Sequence, residues 1–426
     1  MFRYPFAIHI RSFVVRIMQV AATVSIATVF VASTRTVEVA TPRTVDQSGG
    51  NAVTHWNSVA LEVFAPTEGT NPMMQSRTLA ILHAAIHDAL NAIDHRFAPY
   101  TPGLAAASAA SPDAAVATAA HEVLGTLVRE QKKMIDEAYE RALASVSDDA
   151  GKNAGIATGR AAARATLARR EGDGSESATE PIYVPQRGSG EYQFTAPFTF
   201  AALPGWGRVR PFVIDLKKHN VRGPQPLSSA QYARDLAYVK AIGGMNSPTR
   251  TAEQSEIARF WYEDSPLGWN RIANTAVRQQ GLDSWSSARV LALVNLAMAD
   301  GFVAGFEAKY RFRFWRPVTA LGQTDPSWQP FLTTPPVPDY PSTHTVVGWA
   351  AAQVLIELLG DKVEFSATSP TLPGVKRNFK GFSAAAEENG LSRVYAGIHF
   401  QHAVKDGRQQ GRSIGRSVTE ALAPVR

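Results

Sequence analysis

Apolar residues recur at three- and four-residue intervals along most of the chain, the period of a helix with one inward face. The pattern predicts an amphipathic helix over 76–93 and alanine-rich helices over 114–127, 133–146 and 151–170. Helical spacing resumes over 228–242, 252–263, 269–280, 286–311 and 342–359, and again from Phe400 onward. Between these runs, 172–193 is rich in Gly, Ser, Glu and Pro without periodicity and reads as a long loop, either a linker or a flap. Residues 321–338 and 360–380 also read as loops, and 206–222, punctuated by Pro and Gly, stays undecided. No stretch alternates like a set of strands, so the expected class is all-α, with helical bundles. Near the C-terminus Gly407, Gly411 and Gly415 repeat every four residues, as do Arg408, Arg412 and Arg416. The glycines predict a close helix–helix approach and the arginines a solvated face.

The first 33 residues depart from this pattern. They carry Arg3, Arg11 and Arg16 and no acid, then an uncharged apolar run ending in small residues. That is the layout of an export signal, with an uncleaved anchor as the alternative. We expect an export signal over 1–33, a flexible segment over 34–50, an N-terminal helical region over 51–245 and a C-terminal helical bundle over 246–426. The protein would then be periplasmic or extracellular, with no integral membrane span after cleavage. Formal net charge is +6, three units of it in the leader, so the remaining chain is only mildly basic. That suits anions without implying nucleic acid. The chain has no cysteine, which excludes disulfides, thiolate metal sites and cysteine nucleophiles.

Candidate chemistry concentrates in the last third. In Pro338-Asp339-Tyr340-Pro341-Ser342-Thr343-His344 the prolines hold the chain extended. A hydroxyl and an imidazole then arrive at an expected helix start, with Ser342 suited to the N-cap. A helix start presents free N–H groups and partial positive charge, which suit an oxyanion; alone, the pattern equally describes a cap beside an incidental histidine. Upstream, Lys309 and Arg316 lie seven residues apart, so a helix running into Pro317 would point both cations the same way. Downstream, Arg393 precedes His399. His83 and His87, four apart on one face, have metal-ligand spacing, but Ala84 stands where a zinc protease would have glutamate, so a packed, hydrogen-bonded pair is the expectation.

Lys-x6-Arg-Pro, Pro-Ser-x-His and Ser-Arg-x5-His, in this order, resemble the three-part signature of the superfamily of vanadium-dependent haloperoxidases and type-2 phosphatidic acid and bacterial acid phosphatases. The stretches 76–91 and 295–317 resemble its bacterial haloperoxidase-like branch, and the likeness covers about residue 51 to the end. It implies a helical bundle with an oxyanion pocket at one end. Lys309, Arg316 and Arg393 would bind the equatorial oxygens of vanadate or phosphate, together with the Ser342 hydroxyl and the Thr343 N–H. His399 would coordinate vanadium or act as a phosphatase nucleophile, and His344 would serve as acid–base. The implied activity is oxidation of halide by hydrogen peroxide through histidine-bound vanadate, with an organic acceptor. The alternatives are an exported acid phosphatase and a non-catalytic anion-binding protein. Two positions depart from the pattern: Thr343 replaces a usual glycine, and Ala403 stands where an Asp often follows the apical histidine. A carboxylate orienting His399 must then come from elsewhere, and its loss would weaken a nucleophile more than a coordinate bond. Val337, near the implied halide position, leaves the halide open.

Overall fold

The computed structural model describes residues 50–65 and 71–425. The expected export signal and the segment up to residue 49 lie outside the described residues. In chain order the helices are α1 (Ala52–Phe64), α2 (Pro72–Ile93), α3 (Pro112–Leu127), α4 (Lys132–Ala144), α5 (Ala150–Arg169), α6 (Ala230–Gly243) and α7 (Ala252–Phe260). They continue with α8 (Ser265–Gln279), α9 (Ser284–Phe312), α10 (Pro317–Gly322), α11 (Thr343–Leu359), α12 (Phe382–Tyr395) and α13 (Gln401–Thr419). The fold is all-α apart from one antiparallel hairpin, β1 (Phe365–Thr368) with β2 (Lys376–Phe379). That hairpin falls where a loop was expected. Its four-residue strands are too short to show an alternation.

Helix α9 is the axis of the bundle. It is long and apolar enough to cross a membrane by length and composition, but nearly all of it is buried inside the protein. It packs against α2, α8, α11 and α13. On its middle turn the buried Asp300 carboxylate accepts the backbone N–H groups of Phe212 (2.6 Å), Val213 (2.9 Å) and Ile214 (3.0 Å). The undecided 206–222 segment, which holds two short 3-10 helices (Trp206–Arg208 and Leu216–His219), is thereby tied to the core. The C-terminal glycines do what their spacing implied. A Cβ on Gly411 would come within 2.3 Å of the Val346 carbonyl, and one on Gly407 within 2.8 Å of the Ser342 carbonyl. Helix α13 therefore rides directly on the first turns of α11, the turns that carry the central motif.

The His83/His87 pair is built into the core of α2. His83 Nε2 lies 3.0 Å from Asn57 Oδ1, while His87 Nε2 lies 3.1 Å from the Ala98 carbonyl and 2.9 Å from Asn91 Nδ2. Neighbouring Asp88 accepts the N–H groups of Tyr100 and Thr101, both at 2.7 Å. Burial lowers His83 to about 3 and His87 to about 4, so both rings are neutral at pH 7. Their folded values lie below the ordinary 6.5, so as pH falls the unfolded chain takes up protons that the folded chain does not. Stability is unaffected by them above about 6.5 and is lost between there and about 4. Each group contributes a slope on the order of 1 kcal/mol per pH unit. Urea unfolding at pH 7, 5.5 and 4.5 should therefore show falling stability, with a shallower fall in His83→Gln. Equal slopes in the two proteins would refute the assignment.

Candidate functional site

Every sequence-identified cation and both histidines line one cavity of about 1150 Å³. It lies at the N-terminal end of α11, bounded by the C-terminal end of α9, the start of α8, the end of α12 and the turn before α13. Lys309 and Arg316 reach it by a different route from the one expected. Helix α9 stops at Phe312, with Arg313 in the left-handed conformation (φ 48°), and Arg316 is the N-cap residue of α10. The two cations converge because the chain turns between them, not because they share a helix face.

Backbone carbonyls hold all three cations. Lys309 Nζ donates to the carbonyls of Pro338 (2.6 Å) and Asp339 (2.9 Å). Arg316 donates to Val337 O at 2.7 Å and to Ile398 O at 2.6 Å. Arg393 donates to Trp261 O at 2.7 Å and to Ser392 Oγ at 3.0 Å. The reason lies in the sequence: Pro335, Pro336, Pro338 and Pro341 keep 335–341 out of a helix, so its carbonyls remain available to side chains. All three cations are buried. Burial, and then the neighbouring Arg316, pull Lys309 well below its ordinary value. Burial pushes Arg393 down to about 10. The cavity thus concentrates like charge with little water to screen it, which is costly unless an anion is bound.

His344, on the first turn of α11, has its Nδ1 2.7 Å from Ser265 Oγ, while its Nε2 is buried with no protein partner. Burial, then Arg393, holds it well below the ordinary histidine range. His399 Nε2 lies 2.9 Å from Arg316 Nη1. Its ring is likewise held neutral, first by burial and then by Arg316, Lys309 and Arg393. Ser342 occupies the N-cap position of α11 but does not cap with its side chain; its Oγ accepts the Thr345 hydroxyl at 2.9 Å. Thr343 fits because α9 has a glycine opposite it. A Cβ on Gly305 would come within 2.9 Å of Thr343 Oγ1 and 3.0 Å of Cγ2.

Sequence reasoning missed two residues. Ser265 is the first residue of α8, and its only local signal is the Asp-Ser-Pro helix start. Asp339 lies inside the quoted motif. Its fully buried carboxylate approaches His399 Nδ1 to 2.9 Å, with an alignment short of a regular hydrogen bond. The carboxylate lies behind the His399 ring, while Glu263 and Asp264 are the acidic residues on the cavity wall itself. The 172–193 loop and its continuation form the opposite wall, through residues such as Tyr183, Phe194, Phe200 and Leu203. This wall is fixed to the proline segment by Ala202 N–H donating to Pro336 O at 2.7 Å. Trp261 and Trp269 stack in the core, whereas Tyr262 lines the cavity.

An oxyanion fits this donor set: three buried cations, an unpartnered imidazole Nε2 on His344, and the His399 imidazole. The His399 Nε2 lone pair is met by Arg316 and would pass to an oxyanion that takes up the guanidinium. Lys309, Arg316 and Arg393 would hold the oxygens of vanadate or phosphate, and His399 Nε2 lies against Arg316, a cation of that set. Comparison with known proteins agrees with the fold and the setting. Residues 289–425 match the family described as the VCPO second helical-bundle domain. The chain is 24% identical to vanadium chloroperoxidase of Curvularia inaequalis, over 82% of this chain and 78% of the relative. Its fold is similar to the crystal structure of the first bacterial vanadium-dependent iodoperoxidase (TM-score 0.79, 26% identity, 88% of this chain and 96% of that one). The holo-type bacterial vanadium-dependent chloroperoxidase shares the fold (TM-score 0.70, 17% identity, 84% of this chain and 94% of that one).

Arg316→Ala and Arg393→Ala should each weaken orthovanadate binding by about 2–5 kcal/mol, as expected when one partner of a buried charged contact is removed. Calorimetric titration giving wild-type affinity for either variant would exclude that residue from the site. Gly305→Ala should cost about 1–3 kcal/mol by crowding Thr343, and the loss should be largely recovered in Gly305→Ala/Thr343→Gly. If the double variant is no more stable to urea than Gly305→Ala, the two side chains are not packed together.

Proposed function

We propose that the protein is a vanadium-dependent haloperoxidase that oxidises halide with hydrogen peroxide and passes the oxidised halogen to an organic acceptor. The observation that carries this reading is the convergence of Lys309, Arg316, Arg393, His344 and His399 on one buried cavity. The kinship with vanadium chloroperoxidase and the bacterial iodoperoxidase supports peroxide over other oxyanion chemistry. We place the reaction outside the cytoplasm, on the strength of the N-terminal leader.

Vanadate, when bound, supplies an electrophilic centre that activates hydrogen peroxide toward halide. The net change is halide, hydrogen peroxide and one proton going to hypohalous acid and water: the halide loses two electrons and the O–O bond takes them. The protein's part is electrostatic and acid–base. Lys309, Arg316 and Arg393 stabilise charge on the bound oxygens in a water-poor cavity, where such contacts are strong. Being always charged and fork-shaped, the arginines can meet two oxygens each. His399, whose Nε2 now accepts from Arg316, would hold the oxyanion through that nitrogen. His344, neutral at working pH because of its burial, has a free Nε2 to accept a proton from entering peroxide and return it to a departing oxygen. Ser265 fixes that ring from the other side through Nδ1.

A second reading retains support from one observation. Asp339 beside His399 supplies the carboxylate that a phosphohistidine-forming nucleophile needs. The expectation that a missing carboxylate would disfavour a phosphatase therefore loses its ground.

The deciding assay is bromination of a dione reporter with peroxide and bromide near pH 5–6, on metal-stripped protein before and after orthovanadate, with phosphate as competitor. Activity that requires vanadate and declines with phosphate is expected. His344→Ala should bind vanadate normally and lose roughly 10²–10⁴-fold in turnover, the usual contribution of a positioned acid–base. No bromination, together with vanadate-inhibited phosphomonoester hydrolysis, would assign the protein to the phosphatase reading.

A further inference from the structure

The protonation pattern of His399 can be derived from its neighbours. Arginine has only donors, so the 2.9 Å contact between Arg316 Nη1 and His399 Nε2 requires a lone pair on Nε2. The single proton of the neutral ring then sits on Nδ1. That nitrogen lies 2.9 Å from Asp339 Oδ1, an ion-pair contact just outside hydrogen-bond alignment. The carboxylate is in turn fixed by its own backbone: Asp339 N–H donates to Phe314 O at 2.8 Å, and its carbonyl accepts Lys309 Nζ at 2.9 Å. Ala403, four residues beyond His399, has no side chain able to accept such a proton, and its carbonyl is taken by Ser342 N–H at 3.0 Å.

We propose that Asp339 is the positioning carboxylate of His399, accepting the Nδ1 proton and so keeping the Nε2 lone pair turned toward the cationic cavity. The proposal rests on the oxyanion site described above. It moves the orienting carboxylate from the turn after the histidine, where the sequence has Ala403, to the proline segment before α11. A carboxylate behind a ligating imidazole fixes its tautomer and ring angle and strengthens it as a donor. The plain alternative is that Asp339 only offsets the charge of Lys309 and Arg316.

Three proteins separate the two roles: wild type, Asp339→Asn and Asp339→Ala. Asparagine has nearly the same shape and can still accept the Nδ1 proton through its carbonyl oxygen, but it carries no charge. Imidazole ¹⁵N spectra of the metal-free proteins, with the His399 signal identified by its loss in His399→Gln, report which nitrogen holds the proton. Orthovanadate titration reports the consequence for binding. We expect the Nδ1–H form in wild type and Asp339→Asn, and a tautomer mixture in Asp339→Ala. Vanadate affinity should fall about 10–100-fold in Asp339→Ala, the usual effect of removing such a partner, and by less in Asp339→Asn. Equal affinity losses in both variants with the tautomer unchanged would overturn the proposal and leave a charge-offsetting role. Wild-type spectra and affinity in Asp339→Ala would overturn it outright. Should Asp339→Ala fail to fold, an Nε2–H tautomer in wild type or loss of the Nδ1–H form in Asp339→Asn is sufficient to reject it. The spectra require no catalysis, so a failed bromination assay and a failed tautomer assignment are separate results.

Discussion

The burial of three cations around one cavity is the constraint on which this structure depends. Lys309, Arg316 and Arg393 are withdrawn from water, with the buried Asp339 carboxylate close to Lys309 and Arg316. Such an arrangement is tolerated only if each charge finds other polar partners. The chain supplies them as carbonyl oxygens: Val337, Pro338 and Asp339 from the proline segment, Ile398 from the turn before α13, and Trp261 from the end of α7. In a helix these oxygens would be consumed by N–H groups four residues on. The prolines therefore do chemical as well as conformational service, because they keep dipoles free to hold cations whose charge is directed at a ligand.

The surrounding helices keep that segment in place. Helix α9 brings Lys309 to the cavity on its last turns and leaves space at Gly305 for Thr343. Helix α13 approaches α11 so closely at Gly407 and Gly411 that the two N-terminal ends, with His399 just before one and His344 on the other, share one cavity wall. Several polar groups of the bundle outside the site are paired within it. Asp300 is satisfied by three N–H groups, Asn270 and Asn295 exchange hydrogen bonds at 2.8 Å, and His83 pairs with Asn57. What sets His344 Nε2 apart is its place: it is unpartnered on the wall of the cavity that the three cations line.

Much of this was legible in the sequence, for reasons that differ between residues. Helical periodicity located the helices within a few residues, because their apolar faces are long enough to register. The cations and histidines could be named because each sits at a fixed offset from a proline or a helix start, which are local features. Whatever depended on tertiary approach was not legible. Asp339 was visible as a letter, but its contact with His399 arises only when the 398–400 turn folds against the proline segment. The Thr343 departure looked like a narrowing of the pocket, while its compensation at Gly305 lies 38 positions away and on another helix. Arg316 was assigned to the right cavity by the wrong route, since no periodicity marks the left-handed Arg313 that ends α9.

The cage by itself does not separate peroxide chemistry from phosphoryl transfer, since both place negative charge on oxygens bound to a central atom. The difference lies in what else must approach. A phosphomonoester brings a leaving alcohol and then needs a water aimed at the central atom, so polar groups on the approach side would serve it. Peroxide and halide are small, and the acceptor of an oxidised halogen is organic. The approach side is walled by Tyr183, Phe194, Phe200 and Leu203, with Phe302 and Phe306 behind them and Val337 near the cage. These apolar walls exclude water and strengthen each contact within the cage, while the polar lining lies on another side, at Tyr262, Glu263, Asp264 and Ser265. Asp339 makes His399 competent for either reaction; the wall is the part of the cavity that favours the peroxidase.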